Sequence, residues 1–183
     1  KLKTAANDPM VDRTIRGFYP PGSTFKIVTG LAGLEAGVVT LKEQLPCTGS
    51  LELHNQTFRC WRRSGHGPCD FHRAIRESCD CYFYEVARRA GIEQISATGR
   101  KLGLGEVYPS GIGLQKPGVM PTPSWKLGRL GKPWYAGETL HAGIGQGYVL
   151  ATPMQLAVMT ARLASGVAVL PAVVRRDGGP PLP

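Results

Sequence analysis

The 183-residue sequence has no run of 18 or more apolar residues, and no basic stretch followed by an apolar one at its start. A helix needs about 20 mostly apolar residues to cross a bilayer, and a secretory leader needs that basic and apolar pair. The sequence therefore predicts neither feature within these residues. No internal repeat is present. An apolar content of 42% predicts one domain, or most of one, with a single sizeable core.

Acidic residues are also scarce. The chain has 13 Asp and Glu against 22 Lys and Arg, which gives a formal net charge of +9, and many of the arginines lie between positions 59 and 89. No aromatic and basic RNA motif, zinc-finger spacing or recognition-helix pattern accompanies them. We therefore expect a solvated basic face and no nucleic-acid partner.

The segment with the clearest chemistry places Ser23 three residues before Lys26. Residues 20–22, Pro-Pro-Gly, cannot continue a helix, and apolar residues recur at helical spacing up to Gly37, so the pattern predicts a helix that begins near Ser23. An amine one turn along a helix can take the proton of a serine hydroxyl and so activate it as a nucleophile. The motif alone is a weak signal, and a solvated serine and lysine is the alternative that it leaves open.

The remaining patterns predict a mixed α+β chain. They indicate a hairpin around the turn 54–57, helices over 70–77, 81–89, 93–102 and 152–164, a strand over 167–174, and a long surface loop over 103–133. Ser78-Cys79-Asp80 lies between two of these helices. A junction of this kind can point side chains into a cleft.

The cysteines form a second candidate site. Cys47 and Cys60 flank the predicted hairpin, His66 lies in a Gly-His-Gly turn, and Cys79 lies between two predicted helices. Three thiolates and one imidazole are a standard tetrahedral zinc set. Because the spacing is not that of a finger or ribbon, zinc ligands and buried free thiols are equally open on chemistry alone.

Four segments together resemble the transpeptidase domain of class B penicillin-binding proteins. They are Tyr19 to Lys26, Ser78-Cys79-Asp80, Gly143 to Tyr148, and Ala151 to Ala157. The second segment is similar to the Ser-x-Asp of the elongation type, penicillin-binding protein 2. The resemblance runs from about Asn7 to Arg176.

The resemblance implies an α+β fold of the penicillin-binding protein and serine β-lactamase type, with a helical subdomain and an antiparallel sheet. Residues 1–176 would be a partial transpeptidase domain and residues 177–183 a loose tail. The family carries a third motif, Lys-Ser-Gly or Lys-Thr-Gly, on a strand that lines its active site, and neither tripeptide follows Tyr148. We therefore expect the fold to be incomplete at the C-terminus, with this strand downstream and a membrane anchor upstream. The implied location is the bacterial inner membrane, with the catalytic domain in the periplasm.

The resemblance also implies four catalytic residues. Ser23 would attack the penultimate D-alanine of a peptidoglycan stem peptide, and Lys26 would accept its proton. Ser78 would relay protons to the leaving group and hold Lys26 in place, and Asp80 would bind the substrate amide or Lys26. An amine from a second stem peptide would resolve the acyl-enzyme into a crosslink. β-Lactams should acylate the same serine.

The implied partners are stem peptides ending in D-Ala-D-Ala, β-lactams, a membrane glycan polymerase and an elongation scaffold. Two non-enzymatic alternatives are a β-lactam sensor domain and a catalytically silent module stabilised by zinc. A serine β-lactamase is a further enzymatic alternative, although the sequence offers no identifiable deacylating glutamate.

Some elongation-type relatives bind zinc beside the second motif through Asp, Asp, His and Cys. The last three of these positions align with Cys60, His66 and Cys79, and Cys47 would take the first. The resemblance thus implies a structural Zn²⁺ site with softer ligands. A disulfide is the alternative, because the periplasm is oxidising. Cys69 and Cys81 lie outside this set, and we expect Cys81 to be a small buried hydrophobic residue.

Overall fold

The computed structural model describes residues 10–109, 111 and 113–172. The predicted loose tail, 177–183, lies outside these residues. Two compact units divide the chain. The second unit, Pro20–Thr98 with Pro121–Val149, contains every candidate site residue named above. No helix in the described part combines the length and the apolar content that crossing a membrane requires.

The segment around Ser23 forms a short 3₁₀ helix, Gly22–Phe25, that leads directly into helix α1, Lys26–Glu35. The predicted helix start is therefore one tight turn followed by an α-helix. Its predicted end is also observed, because Gly37 has φ +67° and the Val38 N–H reaches back to the Gly33 carbonyl. A glycine in the left-handed region closes the last helical turn in this way.

Four short strands follow and pair in two antiparallel sheets. Strand β1, Leu45–Cys47, pairs with β4, Gly67–Cys69, while β2, Ser50–Leu53, and β3, Gln56–Arg59, form the predicted hairpin. The hairpin turn contains two residues. This topology brings the end of β1, the end of β3 and the start of β4 close together.

Helix α2, Phe71–Arg76, is capped by the preceding Asp70, whose carboxylate accepts a hydrogen bond from the Arg73 N–H at 2.8 Å. An oxygen at this position satisfies a backbone donor that the first helical turn leaves free. Helix α3, Asp80–Lys101, contains the two helices that the sequence predicts, and Gly91 interrupts it with φ +77° and ψ 160°. The predicted break at Gly91 is thus a kink.

The predicted loop over 103–133 is wrong in part. Helix α4, Pro123–Leu130, begins after Thr122, whose hydroxyl accepts from the Trp125 N–H, and helix α5, Ala136–Gly143, follows shortly afterwards. Helix α6, Pro153–Ser165, shows the predicted capping box at Thr152. The strand predicted over 167–174 is not formed in its described part, residues 167–172.

The core of the second unit joins α2 and α3 to the sheet of β1 and β4. Its buried members are Val39, Leu45, Cys47, Cys60, Cys69, Ala74, Cys79, Cys81, Tyr82, Phe83 and Val86. All five cysteines of the chain belong to this cluster. A smaller cluster of Phe58, Tyr84 and Leu140 covers the hairpin.

The surroundings of two helical glycines, Gly33 in α1 and Gly128 in α4, predict opposite effects of an added methyl group on stability. A Cβ on Gly33 would lie 2.5 Å from Val86 Cγ1, whereas a Cβ on Gly128 in α4 would meet no atom within 4 Å. We expect Gly33→Ala to lower the free energy of unfolding by about 1–3 kcal/mol through overpacking. Gly128→Ala should raise it by about 0.5–1 kcal/mol, because alanine favours the helix. Urea denaturation measures both, and equal shifts would contradict the packing described here.

Candidate active site

Ser23 lies in the 3₁₀ helix, where the residue 22–25 backbone is held by the 143–148 segment. The Gly22 N–H donates to the Gly145 carbonyl at 2.9 Å. Gly145 has φ +69°, and a Cβ there would lie 2.3 Å from the Gly22 carbonyl oxygen. This position therefore requires glycine for its backbone angle and for its close approach to the turn carrying Ser23.

Lys26 is buried at the start of α1, with 2% of its surface exposed. Its ammonium donates to Asp80 Oδ1 at 2.6 Å, to Ser78 O at 2.7 Å and to Ser78 Oγ at 2.9 Å. An ammonium has three protons, so each of them has an acceptor. The charge is compensated by Asp80, as a buried charge requires.

Ser78 connects Lys26 to Ser23. The Ser78 hydroxyl donates to Ser23 Oγ at 3.0 Å while it accepts from Lys26. Sequence reasoning places the lysine directly against the nucleophile. The hydrogen bonds instead run from the lysine through the second serine to the first.

The backbone of Ser78 has φ +52°, an unusual value for a residue other than glycine. The turn is held by hydrogen bonds from the Ser78 N–H to the Ile75 carbonyl and from the Cys79 N–H to the Ala74 carbonyl. Strained residues of this kind cost about 1–3 kcal/mol and persist only where their surroundings determine them. The turn aims the hydroxyl and the carbonyl of Ser78 at the same ammonium.

Asp80 begins α3 and has two partners. One carboxylate oxygen pairs with Lys26, and the other accepts from the Trp61 backbone N–H at 2.8 Å. A carboxylate in the first helical turn is also stabilised by the positive end of the helix dipole. Asp80 therefore joins three elements, α1, α3 and the chain that leaves β3.

The direction of the hydrogen bonds shows which proton transfer the observed arrangement allows. The Lys26 nitrogen donates to the Ser78 hydroxyl, and that hydroxyl donates to Ser23 Oγ. This arrangement can deliver a proton to a leaving group. The opposite transfer, from Ser23 towards Lys26, requires Lys26 to accept a proton as a neutral amine.

The four candidate metal ligands lie together beside the segment Ser78-Cys79-Asp80, to which Cys79 belongs. The ligand atoms of Cys47, Cys60, His66 and Cys79 all fall within 4.8 Å of one another, and all four residues are buried. His66 Nδ1 lies 3.5 Å from the sulfur of Cys47 and 3.5 Å from that of Cys60. All five cysteines are free thiols, with no disulfide among them.

The strand pairings explain how distant residues meet in this cluster. Cys47 ends β1 opposite Gly67 of β4, and the Cys60 N–H donates to the Gly49 carbonyl at 2.9 Å. A Cβ on Gly65 would lie 2.2 Å from the Cys47 carbonyl oxygen, so the chain before His66 approaches β1 closely only because this residue is glycine.

Burial and hydrogen bonding act in opposite directions on the thiols. Burial alone would raise the pKa of Cys47, but its hydrogen bonds to His66, Gly49 and Cys79 together outweigh that effect and lower the pKa to about 6. Burial raises the pKa of Cys79 and of Cys81. Cys47 is thus a thiol that readily forms a thiolate.

Almost the whole chain is similar to one known protein family. Residues 1–178 match the family described as penicillin binding protein transpeptidase domain. The chain belongs to this transpeptidase family. The fold class and the family expected from the sequence are therefore confirmed.

Within this transpeptidase family, the chain is 37% identical over 181 residues to the peptidoglycan D,D-transpeptidase MrdA of Acinetobacter baumannii. That match covers 97% of the chain and 27% of the relative. The chain thus spans about a quarter of the length of this relative.

Solved structures of this transpeptidase family superpose closely on the chain. Pseudomonas aeruginosa PBP2, in complex with WCK 5153, gives a TM-score of 0.93 at 40% identity, over 99% of the chain and 40% of that protein. The complex between penicillin-binding protein PBP2 and MreC from Helicobacter pylori gives 0.91 at 35% identity, over 98% of the chain and 34% of that protein.

Two contributions to the site were missed from the sequence. Trp61 donates to both Asp80 and the Ser78 carbonyl, yet in sequence it is only an apolar residue after the hairpin. Gly145 lies in one of the four segments that carry the family resemblance, and the structure shows that it supports the turn carrying Ser23. The glycines around Gln146 were the available signal for Gly145, and nothing in the local sequence points to Trp61.

The contact between Gly145 and the Ser23 turn predicts a large effect of substitution. We expect Gly145→Ala to lower the free energy of unfolding by at least about 2 kcal/mol more than Gly37→Ala. Both residues have nearly the same φ, +69° and +67°, but a Cβ on Gly37 would meet no atom within 4 Å. Gly37→Ala therefore reports the backbone cost alone, about 1–2 kcal/mol. Urea denaturation separates the two, and similar losses would show that the close approach is unimportant.

Proposed function

We propose that this chain supplies the nucleophile and the proton-handling groups of a serine D,D-transpeptidase that crosslinks peptidoglycan. The observation that carries the proposal is the chain of hydrogen bonds from Lys26 through Ser78 to Ser23. It places a hydroxyl at the start of a helix, a buried amine, and a second hydroxyl between them. Nucleophilic serine catalysis requires such a set of groups.

In the first step, Ser23 Oγ attacks the carbonyl carbon of the penultimate D-alanine. The Ser23 proton passes through Ser78 to Lys26, which acts as the base in its neutral amine form. The Ser23 backbone N–H contributes one donor to the developing oxyanion. The C–N bond then breaks, the proton moves to the departing nitrogen of the terminal D-alanine, and an ester remains on Ser23.

In the second step, the amine of a neighbouring stem peptide attacks the ester. Its proton returns through the same groups to Ser23 Oγ, and a new amide links the two peptides. Ser78 relays the proton in both steps, because its hydroxyl contacts both Lys26 and Ser23. Asp80 holds Lys26 in place through a 2.6 Å ion pair.

A stem peptide ending in D-Ala-D-Ala and a β-lactam are the ligands that this chemistry fits, since both present an amide carbonyl beside a carboxylate. The membership in a penicillin-binding family supports the β-lactam. We further propose a periplasmic site, inner-membrane attachment of the whole protein, and association with a glycan polymerase and an elongation scaffold. The complex of H. pylori PBP2 with MreC supports the last of these.

A β-lactam sensor domain would use the same serine and lysine without turnover. The similarity to a D,D-transpeptidase over 97% of the chain favours the enzyme. Release of D-alanine from a stem-peptide substrate distinguishes the two, because a sensor would form the acyl-enzyme and stop.

We also propose that Cys47, Cys60, His66 and Cys79 hold one structural Zn²⁺ ion. Zinc bonds of about 2.3 Å to sulfur and about 2.0–2.1 Å to nitrogen, in a tetrahedron, separate sulfur from nitrogen by about 3.6 Å. The observed separations between His66 Nδ1 and two sulfurs are 3.5 Å. The burial and the donor set fit a closed site, in which zinc would supply folding free energy and no reaction step.

The role of Ser23 predicts a specific labelling result. Incubation of the full protein that contains this chain with benzylpenicillin should add one acyl group, measured as intact mass. Ser23→Ala should abolish the adduct because it removes the nucleophile. Thr24→Ala is the control, since Thr24 lies in the same 3₁₀ helix and its hydroxyl donates to the Pro21 carbonyl. Labelling of Ser23→Ala at equal stoichiometry would exclude Ser23 as the nucleophile.

The zinc proposal predicts one metal ion per chain in protein purified under reducing conditions, measured by elemental analysis. Cys60→Ser should lose the metal and lower the melting temperature, because it removes one of four ligands. Cys69→Ser is the matched control, since Cys69 is equally buried but lies outside the four-ligand set. Folded, reduced wild-type protein without zinc would refute the proposal.

A further inference from the structure

Trp61 makes three hydrogen bonds to the segment that carries Ser78. Its indole N–H lies 3.1 Å from both the Glu77 and the Ser78 carbonyl oxygens, and its backbone N–H donates to Asp80 Oδ2 at 2.8 Å. These three acceptors lie within four consecutive residues. One side chain and its own backbone thus clamp the entire turn between α2 and α3.

The clamp acts where the backbone is strained. Ser78 has φ +52°, so the turn would relax towards an ordinary conformation without restraints from its surroundings. The Ser78 carbonyl accepts from Lys26 at 2.7 Å and from the Trp61 indole at 3.1 Å. Two donors from opposite elements therefore fix the orientation of one peptide group, and with it the direction of the Ser78 hydroxyl.

Burial does not explain why this tryptophan is placed here. Trp61 is 63% exposed, whereas the indole of an ordinary core tryptophan would be covered. Its ring contacts the His66 ring edge to face, with 5.3 Å between centroids. The polar N–H, directed at two carbonyl groups, is the part of the side chain that the site uses.

We propose that Trp61 is a positioning residue for acylation, acting through Ser78. The inference rests on the proposed function. The indole N–H holds the Ser78 peptide group in its left-handed conformation, which keeps the Ser78 hydroxyl between Lys26 and Ser23. Trp61 itself transfers no proton and forms no bond with the substrate.

The test uses Trp61→Phe in the full protein that contains this chain. Phenylalanine keeps an aromatic ring beside His66 and keeps the backbone N–H to Asp80, but it removes the indole donor. We expect the limiting rate of acylation by benzylpenicillin to fall about tenfold, the factor that one lost hydrogen bond gives. The concentration for half-saturation should not change, because the substrate contacts are not altered.

Hydrogen exchange supplies the second readout. In Trp61→Phe, the Ser78 and Cys79 amides should exchange faster, because the turn is less restrained. Trp134→Phe is the matched control, since its indole N–H donates to Thr139 Oγ1 at 2.8 Å, away from this turn. It should leave both the acylation rate and the exchange of the Ser78 turn as in the wild type.

Slower acylation together with faster exchange confined to the turn supports the proposal. Slower acylation with unchanged exchange overturns it, as does faster exchange with normal acylation. A higher benzylpenicillin concentration at half-saturation, with an unchanged limiting rate, also overturns it. If benzylpenicillin does not label the wild-type protein, the proposed function itself is wrong. The wild-type measurement shows this before any variant is made.

Discussion

The buried ammonium of Lys26 is the constraint on which the rest of the site depends. A charge with 2% exposure is stable only if every proton has an acceptor and a counter-charge lies nearby. Asp80 supplies the counter-charge, and Ser78 supplies the other two acceptors. The start of α1 and the start of α3 must therefore meet, and the turn between α2 and α3 must take up a strained conformation to complete the set.

The cysteine and histidine cluster stabilises the other side of this turn. Cys60 precedes Trp61, and Cys79 lies between Ser78 and Asp80, so two members of the cluster are direct neighbours of groups in the active site. The cluster joins the small sheets to the turn, and Trp61 joins the turn to the Lys26 ion pair. Substitutions in the cluster are thus expected to affect the active site through the backbone, without any ligand of the cluster touching the substrate.

Much of the fold follows from local signals. Three helix ends were predicted from residues that satisfy free backbone groups, and all three are observed. These residues are Gly37 after α1, Asp70 before α2 and Thr152 before α6. Thr122-Pro123 carries the same threonine and proline signature as Thr152-Pro153, yet the surrounding glycines and prolines led to the prediction of a loop. The signal for α4 was present locally. The strand predicted from residue 167 had apolar residues but, in residues 167–172, no partner strand.

The sequence by itself determined the residue types of the site, because Ser23, Lys26 and Ser78-Cys79-Asp80 form motifs with short and recognisable spacing. It also singled out Cys47, Cys60, His66 and Cys79 as one candidate set. Only the tertiary structure decided that Lys26 reaches Ser23 through Ser78, and that Trp61 clamps the turn. These contacts join residues 17 to 55 positions apart. Local periodicity and capping carry no information about them, because they arise when packing brings separate elements together.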